Sequence, residues 1–415
     1  MASLAESPPE ESRPALHLVG GRRHFLFLQG LPGPFFRMLG AELRARGAGV
    51  SRINFNGGDA LDWNGMGTLS YRGTAADWPE WLAECVAAVR VTDIVVFGDL
   101  RPVHLAAHAV ADRLGLRFHA FEEGYLRPNH VTLERGGVNG NSSFPRSMHG
   151  VKLLIERLPQ PGPEIAVPSH FWHRARQSIR YHTVSWFARP WFFHYRTHRH
   201  AAPLREMVGW NRRFLLKLRE KAASKRAVLE LTGRPFFLLP LQLEGDAQLK
   251  VHSHFESMLG AVEEVLESFR DAPDEVSLLV KRHPLDPDIH GWRRLIERAA
   301  DRIGVGGRVR FVERFDLMPL LHAARGVVTV NSTAGPLALA AGTPVFVLGD
   351  AIYDVPGVTA QGSLADFWRA PQPVDPGNFE ALCQALRAKC LVNGGFHSKE
   401  ALDLLVAGSA DRLLG

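Results

Sequence analysis

The stretch from Gly326 to Val347, GVVTVNSTAGPLALAAGTPVFV, limits the possible folds of this chain more than any other segment. It predicts a short buried strand, a polar turn, a helix of small residues and a second strand. Strands that are continuously apolar and β-branched are typical of a parallel sheet covered on both faces. The turn contains Asn331, Ser332 and Thr333. Hydroxyl and backbone N–H groups at the start of a helix favour an anion such as phosphate, although an ordinary helix N-cap is the simpler interpretation.

The length of 415 residues exceeds the size at which a single hydrophobic core stops growing, so we expect two domains. A net charge of +6 favours an acidic partner such as a nucleotide, a nucleic acid or an anionic lipid surface. Three cysteines without a CxxC pair predict neither a disulfide framework nor a zinc site. Residues 1–20 are acidic and proline-rich, which predicts a disordered leader rather than a signal or transit peptide. No run reaches the ~20 apolar residues of a membrane span, so a soluble or peripheral cytosolic protein is expected.

From residue 21 to about residue 145, predicted strands and helices alternate as in a doubly wound α/β domain. Ligands of such domains bind at the carboxyl ends of the strands. Three polar loops follow strand ends, at Gln29–Pro34, Asn54–Asp59 and Glu122–Arg127. The last of these contains two adjacent carboxylates followed by glycine and later arginine. It is a candidate catalytic site, with a solvated turn as the simpler alternative.

The α/β pattern fades between residues 145 and 225, in a segment rich in arginine, histidine and aromatic residues. We interpret it as a helical insertion of a first domain that spans residues 21–225. Interleaved aromatic and cationic side chains are typical of a membrane interface and also of single-stranded nucleic-acid sites, but no nucleic-acid-binding motif accompanies them. An ordinary helical linker is the third alternative. The residues expected to face a membrane are Trp186, Trp191, Phe192 and Arg196.

A second α/β domain is predicted over residues 226–375, followed by C-terminal helices over 376–415 that pack across the domain junction. One of its strands ends at Lys281 and leads into His283 and Pro284. The proline disfavours the helical region for the residue before it and so directs the imidazole towards a cleft, where it can donate to a phosphate. A histidine that only caps a strand is the simpler alternative. Together with the Ser332–Thr333 turn, however, His283 favours a nucleotide-sugar site between two domains.

Eight motifs in this order resemble the capsule polysaccharide biosynthesis family of bacterial β-Kdo transferases, and specifically the KpsS type. They are FLQGLPGPFF (27–36), RINFNGGD (52–59), FEEGYLRP (121–128), GVNGNS (137–142), RPFFLLPLQLEGDAQ (234–248), KRHPLDP (281–287), VTVNSTAG (328–335) and AIYDVPG (351–357). The resemblance covers nearly the whole chain apart from the leader and parts of the middle. It implies a GT-B-like α/β fold, with two Rossmann-like doubly wound domains and an active site in the cleft between them.

The resemblance also implies an activity, the transfer of Kdo from CMP-β-Kdo to a lysophosphatidylglycerol-type lipid with retention, which starts the poly-Kdo linker of a capsular polysaccharide. No cluster of residues has metal-ligand spacing, so no metal is expected, and no cofactor is expected beyond the donor substrate CMP-β-Kdo. The expected partners are the nucleotide sugar, the lipid acceptor at the cytoplasmic face of the inner membrane and other capsule-assembly proteins, but not nucleic acid. Two alternatives stay open: a related CMP-sugar transferase (sialyl, or Kdo onto a glycan), and a non-catalytic scaffold of capsule assembly.

By the same resemblance, Glu123 is the catalytic carboxylate, acting as nucleophile or as the base for the acceptor hydroxyl, and His283 stabilises the departing CMP. Related Kdo transferases have aspartate at the position of Glu123, whereas the KpsS type has glutamate. The donor side is then expected to comprise Gln242, Asp246, Lys281, His283, Pro284, Asn331, Ser332, Thr333 and Tyr353. The acceptor and sugar side is expected to comprise Gln29, Asn56, Asp59, Glu122 and Arg127.

Overall fold

A computed structural model describes residues 22–65, 67–168, 170–197 and 203–415, so the predicted leader at 1–20 lies outside the described residues. The strands are β1 (His24–Phe27), β2 (Gly49–Asn54), β3 (Thr68–Ser70), β4 (Asp93–Phe97), β5 (Arg117–Glu123), β6 (His130–Arg135), β7 (Phe236–Pro240), β8 (Ser277–Lys281), β9 (Val309–Val312), β10 (Gly326–Thr329), β11 (Val345–Val347) and β12 (Leu391–Asn393). The first eight helices are α1 (Phe35–Ala45), α2 (Gly57–Trp63), α3 (Trp78–Val89), α4 (Pro102–Leu114), α5 (Met148–Arg157), α6 (Phe171–Phe187), α7 (Pro203–Leu215) and α8 (Lys217–Leu229). The others are α9 (Ala247–Val251), α10 (Met258–Phe269), α11 (Trp292–Ile303), α12 (Leu317–Ala323), α13 (Ala334–Ala340), α14 (Leu364–Arg369), α15 (Pro376–Lys389) and α16 (Lys399–Leu414).

The first sheet has the strand order β12-β6-β5-β4-β1-β2-β3. Strands β1 to β5 are parallel, while β6 runs antiparallel to β5 and β12 antiparallel to β6. Because side chains alternate along a strand, Phe25 and Phe27 enter the apolar core on one face, and Leu26 and Leu28 enter the core on the other. The sheet is therefore covered on both faces, and its strand ends are the places left for a ligand.

The second sheet is entirely parallel, in the order β11-β10-β7-β8-β9. Every residue of β7 and β8 is buried, as their continuous apolar sequences predict. Phe237 and Leu239 enter one core and Leu238 the other. The two doubly wound domains confirm the predicted α/β, GT-B-like fold class.

The C-terminal segment 376–415 returns from the second domain to the first. Helix α15 packs against α5, after which β12 joins the first sheet beside β6. Helix α16 then packs against α1 and completes the first core with Leu402, Leu405 and Val406. This segment therefore ties the two domains together.

The segment 145–225 does not belong to the first domain as one piece, which corrects the predicted insertion and its boundary. Helix α6 packs on the first domain through its contact with α2, and Phe192 and Tyr195 after it also contact that domain. Helix α8 packs on β9 of the second domain, where Glu220 forms ion pairs with Arg282 at 3.0 Å and Arg314 at 2.8 Å. These buried ion pairs hold α8 on the second domain.

Candidate active site

Glu123 is the last residue of β5, at the carboxyl edge of the first sheet, and two arginines hold its carboxylate. Arg127 Nη2 lies 2.9 Å from Oε2, and Arg174 Nη2, on α6, lies 2.9 Å from Oε1. Burial pushes the pKa of Glu123 upwards, but the charges of Arg127 and Arg174 outweigh it and lower the pKa below its usual value. Glu123 is therefore an ionised carboxylate at neutral pH.

Glu122 precedes it in the strand, so its side chain lies on the other face of the sheet. Its Oε1 accepts a hydrogen bond of 3.0 Å from the backbone N–H of Glu123. Burial, assisted by the negative charge of Glu123, raises the pKa of Glu122 to about 7. Two adjacent carboxylates thus have pKa values pushed in opposite directions, a common arrangement for groups with different roles in proton transfer.

His283 follows β8 at the carboxyl edge of the second sheet. Its Nδ1 accepts a hydrogen bond of 3.1 Å from the backbone N–H of Leu285, so the proton resides on Nε2, which can donate to a phosphate. Burial lowers the pKa of His283 to about 4, and the charges of Arg127 and Glu123 also act on it. The imidazole is therefore neutral before a ligand binds, and it lies near enough to Arg127 and Glu123 for their charges to act on it.

The residues on either side of His283 differ in exposure. Lys281 is buried, and burial lowers its pKa. Pro284 is exposed, and its carbonyl oxygen accepts a hydrogen bond of 3.0 Å from Arg213 on α7. The helix therefore fixes the backbone of the loop that contains His283.

The turn after β10 leads into α13, a helix of seven residues. The Ser332 hydroxyl accepts a hydrogen bond of 3.2 Å from the N–H of Ala334, which leaves its own proton for another acceptor. Thr333 is the N-cap residue, but its side chain makes no capping hydrogen bond. Strand β7 separates β8 from β10, so the ends of the two strands that lead to His283 and Ser332 lie two strand spacings, about 10 Å, apart along one edge. Side chains reaching from both sides of such a gap can hold one phosphate.

Tyr353 does not occupy the position expected for a donor ligand, and its predicted role in direct contact is corrected. The side chain is buried, and its hydroxyl donates a hydrogen bond of 2.6 Å to the carbonyl oxygen of Ser332. The ring lies so close to Gly335 that a Cβ there would come within 2.4 Å of the hydroxyl oxygen. Tyr353 supports the Ser332 turn from behind.

Gln242 and Asn331, which are both predicted to lie on the donor side, bind each other. Gln242 Nε2 donates to Asn331 Oδ1 at 2.8 Å, and the backbone N–H of Asn331 donates to Gln242 Oε1 at 3.1 Å. The Asn331 amide also donates to the carbonyl of Gln248 at 2.9 Å. The pair therefore fixes the loops after β7 and β10 relative to each other. Asp246 caps α9, and the charges of the first domain's Arg127 and Glu123 act on it, which places it on the cleft side.

Gln29, Asn56 and Asp59 come together as predicted, but they are almost fully buried beneath α6. The Tyr181 hydroxyl of α6 donates to Asp59 Oδ1 and accepts from Asn56 Nδ2, each at 2.9 Å. The predicted loop Asn54–Asp59 runs from the last residue of β2 into the first turn of α2, with Asn56 as the N-cap of that helix. These three residues therefore do not line an open acceptor surface, because the tyrosine of α6 closes the network.

The predicted membrane-facing residues are exposed with one exception. Trp186 and Trp191 are each 62% exposed, and Arg196 is exposed. Phe192 is only 8% exposed and lies beneath the guanidinium of Arg72, 5.8 Å from its ring centroid, so its assignment to the membrane face is wrong. Further exposed apolar residues on α6, α7 and the segment between them are Trp172, Ile179, Phe187, Phe193, Met207, Val208 and Phe214.

The motif at 137–142 forms part of the contact between the domains. The ring of His252, from the second domain, lies against Gly140, where a Cβ would come within 2.1 Å of Nδ1. Arg146 forms an ion pair of 3.2 Å with Asp350 and donates to the carbonyl of Asn139 at 3.1 Å. The GVNGNS motif therefore belongs to the junction that sets the spacing of the cleft.

Sequence reasoning missed one residue of the site, Arg174. It lies 51 residues from Glu123 in a segment with many arginines, and no local pattern distinguishes it from its neighbour Arg176. Only the packing of α6 on the first domain selects it. Among the described residues, no three His, Cys, Asp or Glu side chains come together as metal ligands.

Within the described ranges, no helix has the length and apolar character needed to span a bilayer.

Among solved structures, the β-Kdo 2,7 transferase KpsC of Thermosulfurimonas dismutans is 13% identical, with a TM-score of 0.46; the match covers 93% of this chain and 99% of that chain.

Comparison with known sequences identifies the family. The Capsule polysaccharide biosynthesis protein family model matches residues 92–397. The Escherichia coli capsule polysaccharide export protein KpsS is 36% identical over 92% of this chain and 98% of its own length. The capsule polysaccharide modification protein LipB of Neisseria meningitidis serogroup B is 34% identical over 92% of this chain and 94% of its own length. The predicted resemblance is confirmed: this chain belongs to the capsule polysaccharide biosynthesis protein family and is similar to KpsS.

Proposed function

We propose that this chain is a retaining glycosyltransferase that transfers Kdo from CMP-β-Kdo to a lysophosphatidylglycerol-type lipid and so starts the poly-Kdo linker of a capsular polysaccharide. The observation that carries the proposal is the ionised carboxylate of Glu123 at the carboxyl edge of the first sheet, whose charge acts on His283 at the carboxyl edge of the second. Membership of the capsule family supports the pathway, and the motif resemblance supports the donor and acceptor.

The second domain supplies the hydrogen-bond donors for the phosphate of CMP. These are the Nε2–H of His283 and the hydroxyl groups of Ser332 and Thr333. A neutral imidazole that donates its Nε2–H to the phosphate stabilises the negative charge that develops on the leaving group in the transition state. No cofactor enters this scheme.

Retention at the anomeric carbon follows from two displacements at the same atom. In the first, a Glu123 oxygen bonds to the anomeric carbon while the bond from that carbon to the phosphate oxygen breaks, and CMP leaves with the electron pair. In the second, the acceptor hydroxyl oxygen attacks the same carbon and Glu123 is released as a carboxylate. The hydroxyl proton passes to Glu122, whose pKa of about 7 suits a base at neutral pH.

A lipid acceptor requires access from a membrane surface, and we assign that surface to α6, α7 and the segment between them. Exposed Trp186 and Trp191 lie in a segment rich in arginines, and this combination fits an anionic bilayer. Replacing both tryptophans by serine should reduce binding to phosphatidylglycerol vesicles several-fold in a flotation assay. Leu105→Ser, at an exposed position on α4, is the matched control. Unchanged vesicle binding in the double variant would overturn this assignment.

Mass spectrometry of the reaction tests the proposed function. The purified protein is incubated with freshly generated CMP-Kdo and a fluorescent lysophosphatidylglycerol analogue, beside the isosteric Glu123→Gln variant. We expect one Kdo added to the lipid by wild type and none by the variant. Without acceptor, wild type should carry a Kdo adduct on Glu123; an adduct on another residue would refute its role as nucleophile.

The alternatives give different results in the same assay. Product formation from CMP-sialic acid in place of CMP-Kdo identifies a sialyltransferase. Binding of CMP without product from any acceptor, including short Kdo glycans, identifies a scaffold and overturns the proposed transferase activity.

A further inference from the structure

Arg127 and Arg174 reach the Glu123 carboxylate from two different parts of the chain. Arg127 lies on the loop after β5 and bonds Oε2, whereas Arg174 lies on α6 and bonds Oε1. Both arginine side chains are more than two-fifths exposed, and each guanidinium has more N–H groups than its contact with Glu123 uses.

The charges at this position do not cancel. Two arginines contact the one carboxylate of Glu123, while Glu122, whose pKa burial raises to about 7, is only partly ionised at neutral pH. The three groups Arg127, Arg174 and Glu123 together therefore carry a net positive charge of about one. One arginine is enough to neutralise one carboxylate. The charge of the second arginine is therefore available to another anion.

The chemistry of the proposed donor fits this capacity. Kdo is a 2-ulosonic acid, so its carboxylate is attached directly to the anomeric carbon that Glu123 attacks. When a Glu123 oxygen lies at about 3 Å from that carbon, the sugar carboxylate must lie next to the same two arginines. Without positive charge there, the approach of two carboxylates would be strongly unfavourable.

We propose that Arg127 and Arg174 form the subsite that binds the carboxylate of the donor sugar. This inference rests on the proposed function and adds the group that selects an acidic sugar over a neutral one. Arg174 extends from the helix that also contains exposed tryptophans, so the donor subsite is built partly by the proposed membrane-facing segment.

The experiment separates contact with the donor from support of Glu123. In the Glu123→Gln background no ion pair with Arg174 remains to be lost, and the donor is not consumed. We compare Glu123→Gln with Glu123→Gln/Arg174→Gln by calorimetric titration with CMP-Kdo and, separately, with CMP, which has no sugar carboxylate. We expect the added Arg174→Gln change to weaken CMP-Kdo binding about tenfold or more and CMP binding less than twofold.

Arg176→Gln in the same background is the control, because Arg176 is an exposed arginine two residues away on α6. Equal affinity for CMP-Kdo with and without Arg174 would overturn the subsite. An equal loss for CMP and CMP-Kdo would overturn it too, since it would place the phosphate on the arginine. If wild type neither binds nor consumes CMP-Kdo, the proposed function fails instead, which is a distinct result.

Discussion

The hydroxyl of Tyr353 donates a hydrogen bond of 2.6 Å to the carbonyl oxygen of Ser332. This bond links the loop after β11 to the turn whose hydroxyl groups we assign to the donor phosphate. The position of the Ser332 turn therefore depends on a buried tyrosine.

Tyr353→Phe should weaken CMP binding a few-fold and reduce the free energy of unfolding by about 1 kcal/mol. The Ser332 carbonyl loses one of its two hydrogen bonds and keeps the one from the N–H of Gly335, while the ring still packs on Gly335. Urea unfolding and calorimetry measure the two effects. Tyr71→Phe is the matched control, since the Tyr71 hydroxyl also donates to a backbone carbonyl, that of Thr74, far from the turn. Equal CMP affinity in both variants would contradict the supporting role of Tyr353.

The raised pKa of Glu122 predicts the pH dependence of transfer. A base must be deprotonated to act, so the rate should rise with pH and level off above about pH 7. Glu122→Gln should lower the rate at least tenfold and remove this inflection, while the Kdo adduct on Glu123 still forms and accumulates. The measurement is the rate of lipid product between pH 5.5 and 8.5. An unchanged inflection in the variant would assign the titration to another group.

The lowered pKa of His283 predicts proton uptake when CMP binds. In the free protein the imidazole stays neutral from pH 6.5, its ordinary pKa, down to about pH 4. A phosphate beside it favours the charged form. At pH 6, calorimetry in buffers of different ionisation enthalpy should therefore detect more protons bound by wild type than by His283→Asn. His283→Asn is the reference, because any proton taken up by the CMP phosphate itself is measured in that variant too. Equal uptake by the two proteins would show that His283 does not meet the phosphate.

The lowered pKa of His283 also predicts how the stability of the unliganded protein depends on pH. Its folded pKa is depressed, so the stability that it contributes is complete above pH 6.5 and is lost as the pH falls towards 4. His397, whose pKa burial also lowers to about 4, should add to this loss. The midpoint of urea unfolding should therefore fall between pH 6.5 and 4 by less in His283→Asn than in wild type.

Sequence patterns predicted those features that depend on neighbours in the chain. The apolar β-branched runs predict the parallel sheets. The position of His283 at a strand end could also be predicted, because β8 and the proline after His283 are recognisable from neighbouring residues. Glu123 ends β5 for the same reason. Motif and strand position together thus bring the main carboxylate and the histidine to the two edges of the cleft.

The rest could not be predicted because it depends on contacts between distant segments. Gln29, Asn56 and Asp59 have the composition of an open polar site, yet Tyr181, more than a hundred residues further along, covers them. Arg174 is likewise selected only by the packing of α6. The sequence of an aromatic segment does not show which of its rings is buried. For this reason the prediction that Phe192 faces a membrane is wrong.

Gly140 of the first domain and His252 of the second approach each other closely where the two domains meet. A Cβ at residue 140 would come within 2.1 Å of His252 Nδ1, and His252 also accepts a hydrogen bond from the N–H of Asp350 through its carbonyl oxygen. Gly140→Ala should therefore displace the second domain's loops, destabilise the protein by about 1–3 kcal/mol and lower the transfer rate.

Adding His252→Ala to Gly140→Ala removes the ring that the new methyl group meets. We expect the double variant to recover most of the unfolding midpoint and of the transfer rate, relative to His252→Ala alone. Urea unfolding and the lipid-product assay measure both quantities. A double variant no better than Gly140→Ala would show that residue 140 acts on its own loop and not on the domain contact.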